Sequence, residues 1–195
     1  MRVIGISASP KRGGNTEALL DRALAGASSK GAVAEKIIIN DLRFKPCQEC
    51  GGCQATGICV IRDDMQAVYE KLSNADVVIV ASPIFFGSVT AQLKAMIDRY
   101  QCSWVAKYVL KRRPPAARKR RGAFLCASGS RKKEFFENAR EIVKIFFATL
   151  DIEYARELFC PGVEGKAEIL ANKKALDEAY VLGRELVETS SQHAL

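Results

Sequence analysis

The sequence predicts an α/β fold built on a doubly wound parallel sheet, and two observations carry this prediction. Short apolar runs rich in Val, Ile and Ala alternate along the chain with longer segments whose apolar residues recur at helical spacing. The 195 residues are 48% hydrophobic and 27% charged, which is the composition of a globular chain with a full-sized core. Strands that alternate with helices form βαβ units, in which helices cover both faces of the sheet.

Five segments have the apolar character of buried strands, although the second of them has the weaker pattern. The predicted strands are Arg2–Ser7, Ala32–Asn40, Ala75–Ser82, Gly122–Ser128 and Ile152–Cys160. The predicted helices are Asn15–Ser29, Met65–Leu72, Val89–Tyr100, Glu134–Leu150 and Ala167–Glu188. Five strands in a chain of this length match the flavodoxin-like order 2-1-3-4-5. We expect a single flavodoxin-like domain over residues 1–195, with ligands bound by loops at the carboxyl ends of the strands.

The loop after the first strand, "SASPKRGGNT", has the features of a phosphate-binding turn. Two glycines permit a tight turn before a helix whose N-terminus attracts anions. The candidate phosphate-binding residues are Ser7, Ser9, Lys11, Gly14, Asn15 and Thr16. The absence of G-x-x-x-x-G-K-[ST] and of G-x-G-x-x-G from this loop favours a monophosphate over a nucleoside triphosphate or a dinucleotide. The alternative is that Asn15 or Thr16 simply caps the helix.

Two further loops carry residues suited to a flat ring. After the third strand, "SPIFFGS" places apolar side chains on a loop, and the candidate residues are Pro83, Ile84, Phe85, Phe86 and Gly87. Aromatic side chains on a loop are explained if they lie against a planar cofactor, whereas the alternative is that both Phe residues pack into the core. After the fourth strand, Ser128 and Gly129 form a small turn that suits close approach of a ring, although a plain strand-to-helix turn explains it equally well.

Together, "SASPKRGGNT", "SPIFFGSVTAQLKAMIDR" and "SGS" resemble the corresponding loops of the flavodoxin-like NADPH-dependent FMN reductases. The resemblance covers nearly the whole chain. It implies non-covalently bound FMN, with the phosphate at the first loop and the isoalloxazine ring at the second.

A cysteine-rich loop is predicted after the second strand, where residues 46–59 read "PCQECGGCQATGIC". Its candidate metal ligands are Cys47, Cys50, Cys53 and Cys59. The C-x2-C-x2-C-x5-C spacing is denser than the paired knuckles of four-cysteine zinc sites and is typical of a [4Fe–4S] cluster. The last cysteine departs from the two-cluster ferredoxin pattern, because five residues precede it and Val60 follows it. Bound zinc and bare thiols remain alternatives.

The other three cysteines, Cys102, Cys126 and Cys160, are predicted to be inert. An odd number of cysteines and a reducing intracellular location argue against a disulfide framework. The residues after the loop, "VIRDDMQAVYEKL", predict that Asp63 or Asp64 caps the next helix. Asp98 and Arg99 are expected to cap or pair at the end of the third predicted helix.

The four clustered cysteines narrow the resemblance to the iron–sulfur flavoproteins, a branch of the same FMN reductase family. That resemblance implies single-electron transfer between a [4Fe–4S] cluster and FMN, with ferredoxin as the donor and oxygen or peroxide as an outlet. It also implies a homodimer or homotetramer. No side-chain acid or base is required, so no catalytic residue is assigned. The alternative is an NAD(P)H-dependent FMN or quinone reductase whose cysteine loop holds zinc or nothing.

The net charge of +8 is concentrated in one segment, Lys107–Arg121, which holds eight basic residues and no acid. We expect this basic segment to be an exposed loop before the fourth strand. It suits docking of an acidic ferredoxin, and a merely solvated loop is the alternative. It lacks interleaved aromatic residues, so nucleic acid is not the expected partner. No apolar run approaches the roughly 20 residues that cross a bilayer, and we expect a soluble, cytoplasmic protein.

Overall fold

The computed structural model describes residues 1–112 and 119–191, and in this part of the chain five strands form one sheet in the order β2-β1-β3-β4-β5. The strands are β1 (Arg2–Ser7), β2 (Val33–Ile38), β3 (Val77–Pro83), β4 (Arg120–Ser128) and β5 (Ile152–Pro161). Every neighbouring pair is parallel. The predicted flavodoxin-like topology is confirmed.

Helices connect the strands and cover both faces of the sheet. Within the described residues the α-helices are α1 (Asn15–Ser28), α2 (Met65–Ser73), α3 (Ala91–Asp98), α4 (Gln101–Trp104), α5 (Lys133–Thr149) and α6 (Lys173–Ser191). Short 3-10 turns occur at Ile39–Asp41 and Glu168–Ala171, and a π-helical turn, Val105–Val109, continues α4. No described helix combines the length and the apolar character that a membrane span requires.

The central strand β3 shows how the core is divided into two layers. Val77, Ile79 and Ala81 face the apolar cluster beneath α1 and α6. Val78 and Val80 face the cluster beneath α2, α3 and α5, because successive side chains of a strand point to opposite faces. A strand buried on both faces appears in sequence as a continuous apolar run. Each such side chain, once fully buried, contributes about 1.5–3 kcal/mol to stability.

Helices α1 and α6 pack unusually closely, and two glycines permit this contact. A Cβ atom on Gly26 would lie 2.0 Å from the carbonyl oxygen of Tyr180. A Cβ atom on Gly183 would lie 1.8 Å from the carbonyl oxygen of Ala23. Each glycine therefore allows the backbone of one helix to approach the backbone of the other.

The structure corrects the prediction of one continuous helix over Ala167–Glu188. The chain instead makes the Glu168–Ala171 turn, and α6 begins at Lys173 because the Asn172 Oδ1 atom accepts the Ala175 N–H at 3.1 Å. The helical segment Gln101–Val109 was not predicted at all. The other predicted elements begin and end within two residues of the observed ones.

Gly183→Ala tests the close contact between α1 and α6. We expect the free energy of unfolding to fall by about 1–3 kcal/mol, because the new methyl group forces the two backbones apart. That loss exceeds the ~1 kcal/mol that alanine gains over glycine as a helix former. Urea denaturation measures the change, with Ala25→Ser on the exposed face of α1 as the control. An unchanged or higher midpoint for Gly183→Ala would contradict the packing.

Candidate functional site

The loops that leave β1, β3 and β4 line a single cavity of about 880 Å³ at the carboxyl edge of the sheet. Its wall holds every cofactor-binding residue predicted from the three loops except Ser7. Ser7 is buried at the end of β1, where it pairs in register with Ala81 of β3. The volume lies in the range of small-molecule sites. The loop after β5 completes the wall with Val163, Glu164, Gly165 and Lys166, none of which was predicted.

The phosphate-binding turn leaves the N-terminus of α1 open toward this cavity. Gly14 is the N-cap residue, and no side chain hydrogen-bonds to the first turn of the helix from that position. Asn15 and Thr16 follow in the cavity wall, so their backbone N–H groups are suited to an anion. The Ser9 hydroxyl accepts the Lys11 N–H at 3.1 Å and thereby shapes the turn.

Glu17 stabilises the turn from behind. Its Oε2 atom accepts the N–H of Gly13 at 2.7 Å, and Gly13 has a φ of +63°, which favours glycine. Burial alone would raise the pKa of Glu17, but hydrogen bonds from Lys36 and Gly13 outweigh burial and lower that pKa. The carboxylate is therefore ionised at neutral pH, and Lys36, at 2.8 Å, balances its charge.

The side chain of Asn15, a predicted cofactor-binding residue, also hydrogen-bonds to the segment after β5. Its Nδ2 group donates to the carbonyl of Gly165 at 2.9 Å, and its Oδ1 atom accepts the N–H of Ile169 at 3.1 Å. Both ends of the amide are thus engaged by the segment after β5. The Asn15 side chain therefore holds that segment at the cavity wall. The backbone N–H groups at the start of α1 are then the groups that can face an anion.

The second loop forms a tight turn that projects two aromatic rings. Phe85 and Ser88 exchange two backbone hydrogen bonds of 2.9 and 3.0 Å across Phe86 and Gly87. Both central residues have positive φ, +50° and +71°, as in a type I′ turn. A bulky residue in this region costs about 1–3 kcal/mol and is found at functional sites. Phe86 is fully exposed and Phe85 is 48% exposed, so neither packs into the core.

Thr90 connects the first two loops, although no sequence pattern singled it out. Its Oγ1 atom donates to the carbonyl of Ala8 at 2.8 Å and accepts the N–H of Leu93 at 3.3 Å, which caps α3. Its own N–H donates to the hydroxyl of Ser82 at 3.2 Å. The loop after β1 and the loop after β3 are therefore held together by a buried hydroxyl.

The four predicted cysteines line a second cavity, of about 130 Å³. Cys102, on α4, was predicted to be inert, and it lies in the same wall. Partial burial raises the pKa of the Cys53 thiol, and the charges of Cys102, Cys59 and Cys47 raise it further. These thiols are thus near enough for their charges to affect the pKa of Cys53.

The donor set of this cysteine loop fits a soft metal group. Over residues 1–112 and 119–191, no three His, Cys, Asp or Glu side chains converge on the position of one metal ion. Thiolates are ligands both of single zinc ions and of iron–sulfur clusters. Thiolates distributed around one cavity suit a group with several irons, which takes one thiolate at each iron. Gly51 and Gly57 have φ values of +72° and +73° and allow the loop to wrap around that space.

Arg99 is the C-cap residue of α3, in agreement with the prediction that it caps or pairs there, and its side chain points into the protein with no exposed area. Its Nη1 group donates to Asp63 Oδ2 at 2.6 Å and to the carbonyl of Lys45 at 2.9 Å. Its Nη2 group donates to Cys59 Sγ and to the carbonyl of Ile61, both at 3.4 Å. The guanidinium therefore binds residues on both sides of the cysteine loop.

Three acidic residues, Asp63, Asp64 and Asp98, were also predicted to cap a helix or to form an ion pair. Asp98 forms a surface ion pair with Lys94. Asp63 accepts the N–H of Met65 at 3.1 Å at the start of α2, whereas Asp64 accepts the N–H of Arg43. Burial alone would raise the pKa of Asp63, but hydrogen bonds from Arg99 and the Met65 N–H lower it overall.

The basic segment is only partly available for a partner. Lys107 pairs with Asp151, and Arg112 donates to the carbonyl of Thr56 in the cysteine loop. Arg121 lies 3.8 Å from Glu153. The predicted exposed loop includes Arg113 and Arg118, which lie outside the described residues.

Residues 1–150 match the family model described as NADPH-dependent FMN reductase. The chain belongs to that family. An iron-sulfur flavoprotein of Methanosarcina thermophila is 39% identical over 131 residues, which are 67% of this chain and 65% of that protein. An iron-sulfur flavoprotein of Methanocaldococcus jannaschii is 42% identical over 99 residues, 51% of each chain. These matches confirm the resemblance drawn from the loops, and they span 51 to 65% of the two relatives.

A solved NAD(P)H:quinone oxidoreductase from Methanothermobacter marburgensis superposes with a TM-score of 0.74. The match covers 95% of this chain and 96% of that one at 20% identity. At this identity the likeness concerns the fold alone.

Thr90→Val tests whether the hydroxyl holds the two loops of this FMN reductase fold together. Valine keeps the shape of threonine but leaves the Ala8 carbonyl without its donor, and a buried unpaired group costs about 1–3 kcal/mol. We expect the free energy of unfolding in urea to fall by that amount. Thr90→Ser keeps the hydroxyl and is the control. Equal losses in the two variants would show that the methyl group, and not the hydrogen bond, matters.

Proposed function

We propose that this protein is an electron-transfer flavoprotein that binds FMN in the 880 Å³ cavity and a [4Fe–4S] cluster in the cysteine loop. One observation supports the proposal above all others: four thiols line one cavity beside a buried guanidinium, in a chain of the FMN reductase family. FMN exchanges two electrons in single steps, whereas an iron–sulfur cluster carries one at a time, so together they join one-electron and two-electron chemistry.

The large cavity provides contacts for each part of FMN. Backbone N–H groups of the first turn of α1 face the phosphate, with Lys11 and Lys166 as nearby cations in the wall. Phe85 and Phe86 offer apolar surface to the ring system. Gly129 permits close approach on the β4 side. In this arrangement the protein binds, orients and shields the cofactor, and no side chain is required to move a proton.

The cysteine loop provides the ligands of the second cofactor. Cys47, Cys50, Cys53 and Cys59 supply thiolates, and Arg99 supplies positive charge against the anionic group they would hold. We place this activity in the cytoplasm, where thiols stay reduced. The cysteine loop and the FMN loops all follow carboxyl ends of parallel strands, which supports electron exchange between the two sites.

Two features support the proposed partners. The positive charge of the basic segment favours an acidic electron donor. We propose ferredoxin as that donor, with oxygen or peroxide as the electron acceptor. Exposed apolar residues near the cysteine loop favour assembly into a homodimer or homotetramer; these are Ile58, Val60, Trp104, Tyr108 and Val109.

A second function is an NAD(P)H-dependent FMN or quinone reductase in which the cysteine loop holds no cluster. The family description, which names NADPH as the reductant, favours it. Stopped-flow reduction of the flavin by NADPH and by reduced ferredoxin ranks the two donors. Faster reduction by NADPH in a cluster-free protein would favour this second function.

Anaerobic purification and reconstitution test the cluster directly. We expect about four irons and about four sulfides per chain, together with flavin absorption bands. Cys53→Ala should lose most of the iron, whereas Cys160→Ala, which alters a buried cysteine outside the loop, should keep it. Flavin without iron in the reconstituted wild-type protein would overturn the proposal, and stoichiometric zinc would support the alternative ligand.

Phe86→Gly tests the strained turn as part of the FMN site. Removal of the ring should weaken FMN binding by about 1.5 kcal/mol, roughly tenfold. The same change relieves strain of about 1 kcal/mol, so the apoprotein should be no less stable. Flavin fluorescence titration and urea denaturation measure the two effects. Ile145→Ala, which removes an exposed side chain from α5 away from the cavity, should leave FMN affinity unchanged.

A further inference from the structure

Within residues 1–112 and 119–191, the hydrogen-bond partners of the Arg99 guanidinium come from one short segment, residues 45–63, which contains the cysteine loop. Lys45 precedes the first cysteine of the loop. Ile61 and Asp63 follow the last cysteine, and Cys59 is itself a partner. The side chain of the residue that directly follows α3 thus hydrogen-bonds to both ends of a loop that carries four thiols.

We propose that Arg99 is the positioning residue of the cysteine loop and that its charge makes an iron–sulfur group bound there easier to reduce. This inference rests on the proposed function. It has two parts. The guanidinium closes the loop before any cluster binds, and it then stabilises the reduced form of the cluster more than the oxidised form.

The geometry of the buried ion pair supports the second part. One arm of the guanidinium faces Asp63 at 2.6 Å, and the other arm faces Cys59 Sγ at 3.4 Å. The pair is neutral overall but oriented, with its positive end toward the sulfur. Electrostatic interactions of buried groups are screened less than those at the surface. A reduced cluster is more negative than an oxidised one, so it gains more from this neighbour, and hydrogen bonds to cluster sulfurs likewise set the potential.

The energetic cost of this arrangement supports a functional role. A charged side chain with no exposed area is unfavourable unless it is paired, and among the described residues Asp63 is its one ion-pair partner. The buried Nε atom has no hydrogen-bond partner in the described structure, so the donors in use are those directed at the loop. Lysine would not reach four acceptors at once, because it lacks the planar fork of arginine.

Redox titration of the reconstituted protein, followed by electron paramagnetic resonance, tests the effect on reduction with two opposite substitutions. In Arg99→Gln, at a fixed solution potential, we expect the ratio of reduced to oxidised cluster to fall about tenfold, which equals about 59 mV for one electron. In Asp63→Asn that ratio should rise, because the carboxylate that balances the guanidinium is lost. A purely structural role would not move the potential in opposite directions.

Two controls accompany this test. Lys94→Gln neutralises an exposed cation on the same helix and should leave the potential unchanged. Arg99→Lys retains the charge and should lie nearer to the wild type than Arg99→Gln. If Arg99→Gln holds no cluster, Asp63→Asn and Arg99→Lys still carry the comparison. Shifts of the same sign in Arg99→Gln and Asp63→Asn, or no shift in either, would overturn the effect on reduction.

Hydrogen exchange of the cluster-free protein tests loop closure separately. We expect amides of residues 45–63 to exchange faster in Arg99→Gln than in the wild type or in Lys94→Gln. Equal exchange would overturn the closing role. A wild-type protein that binds no iron and sulfide would overturn the proposed function and the effect on reduction together. A cluster with the wild-type potential in Arg99→Gln would overturn the effect on reduction and would leave the proposed function intact.

Discussion

The parallel, in-register pairing of β1, β3 and β4 is the constraint on which the candidate cofactor site depends. Ser7 pairs with Ala81, and Pro83 pairs with Ala127, so the three strands end at nearly the same level. A slip of one residue would move each side chain from one helix layer to the other and disrupt the packing of both layers, so the register is strongly specified. The loops that follow are therefore delivered to one cavity, and the buried hydroxyl of Thr90 fixes two of them to each other.

The two candidate sites provide positive charge by different physical means. At the large cavity, backbone N–H groups at the start of α1 provide partial charges, and the nearby Glu17 carboxylate is balanced by Lys36. At the cysteine loop, a complete positive charge is buried against a thiol. Partial charges tolerate an exposed, exchangeable ligand. A desolvated guanidinium acts more strongly, which suits a group whose charge changes by one electron.

Local backbone strain also occurs at this edge of the sheet. Phe86 adopts a backbone conformation that favours glycine, and Asn138 holds the following residue by donating to the Gly87 carbonyl at 2.7 Å. The rest of the chain supplies the stability that permits this, through strands buried on both faces and through the close contact of α1 with α6. Such strain persists only where the surroundings determine the conformation, and here it keeps an aromatic ring in solvent at the mouth of the cavity.

The sequence by itself determined most strands and helices, the glycine turn after β1, the aromatic loop after β3 and the cysteine spacing, because each depends on residues adjacent or periodic along the chain. Only the tertiary structure decided that the Asn15 amide binds the segment near Gly165, that Ser7 lies outside the cavity wall, and that Arg99 is buried against Cys59. These outcomes depend on partners 40 to 154 residues away. Propensity and periodicity describe a residue's own neighbourhood, whereas burial and hydrogen bonding are settled by which distant segments pack beside it.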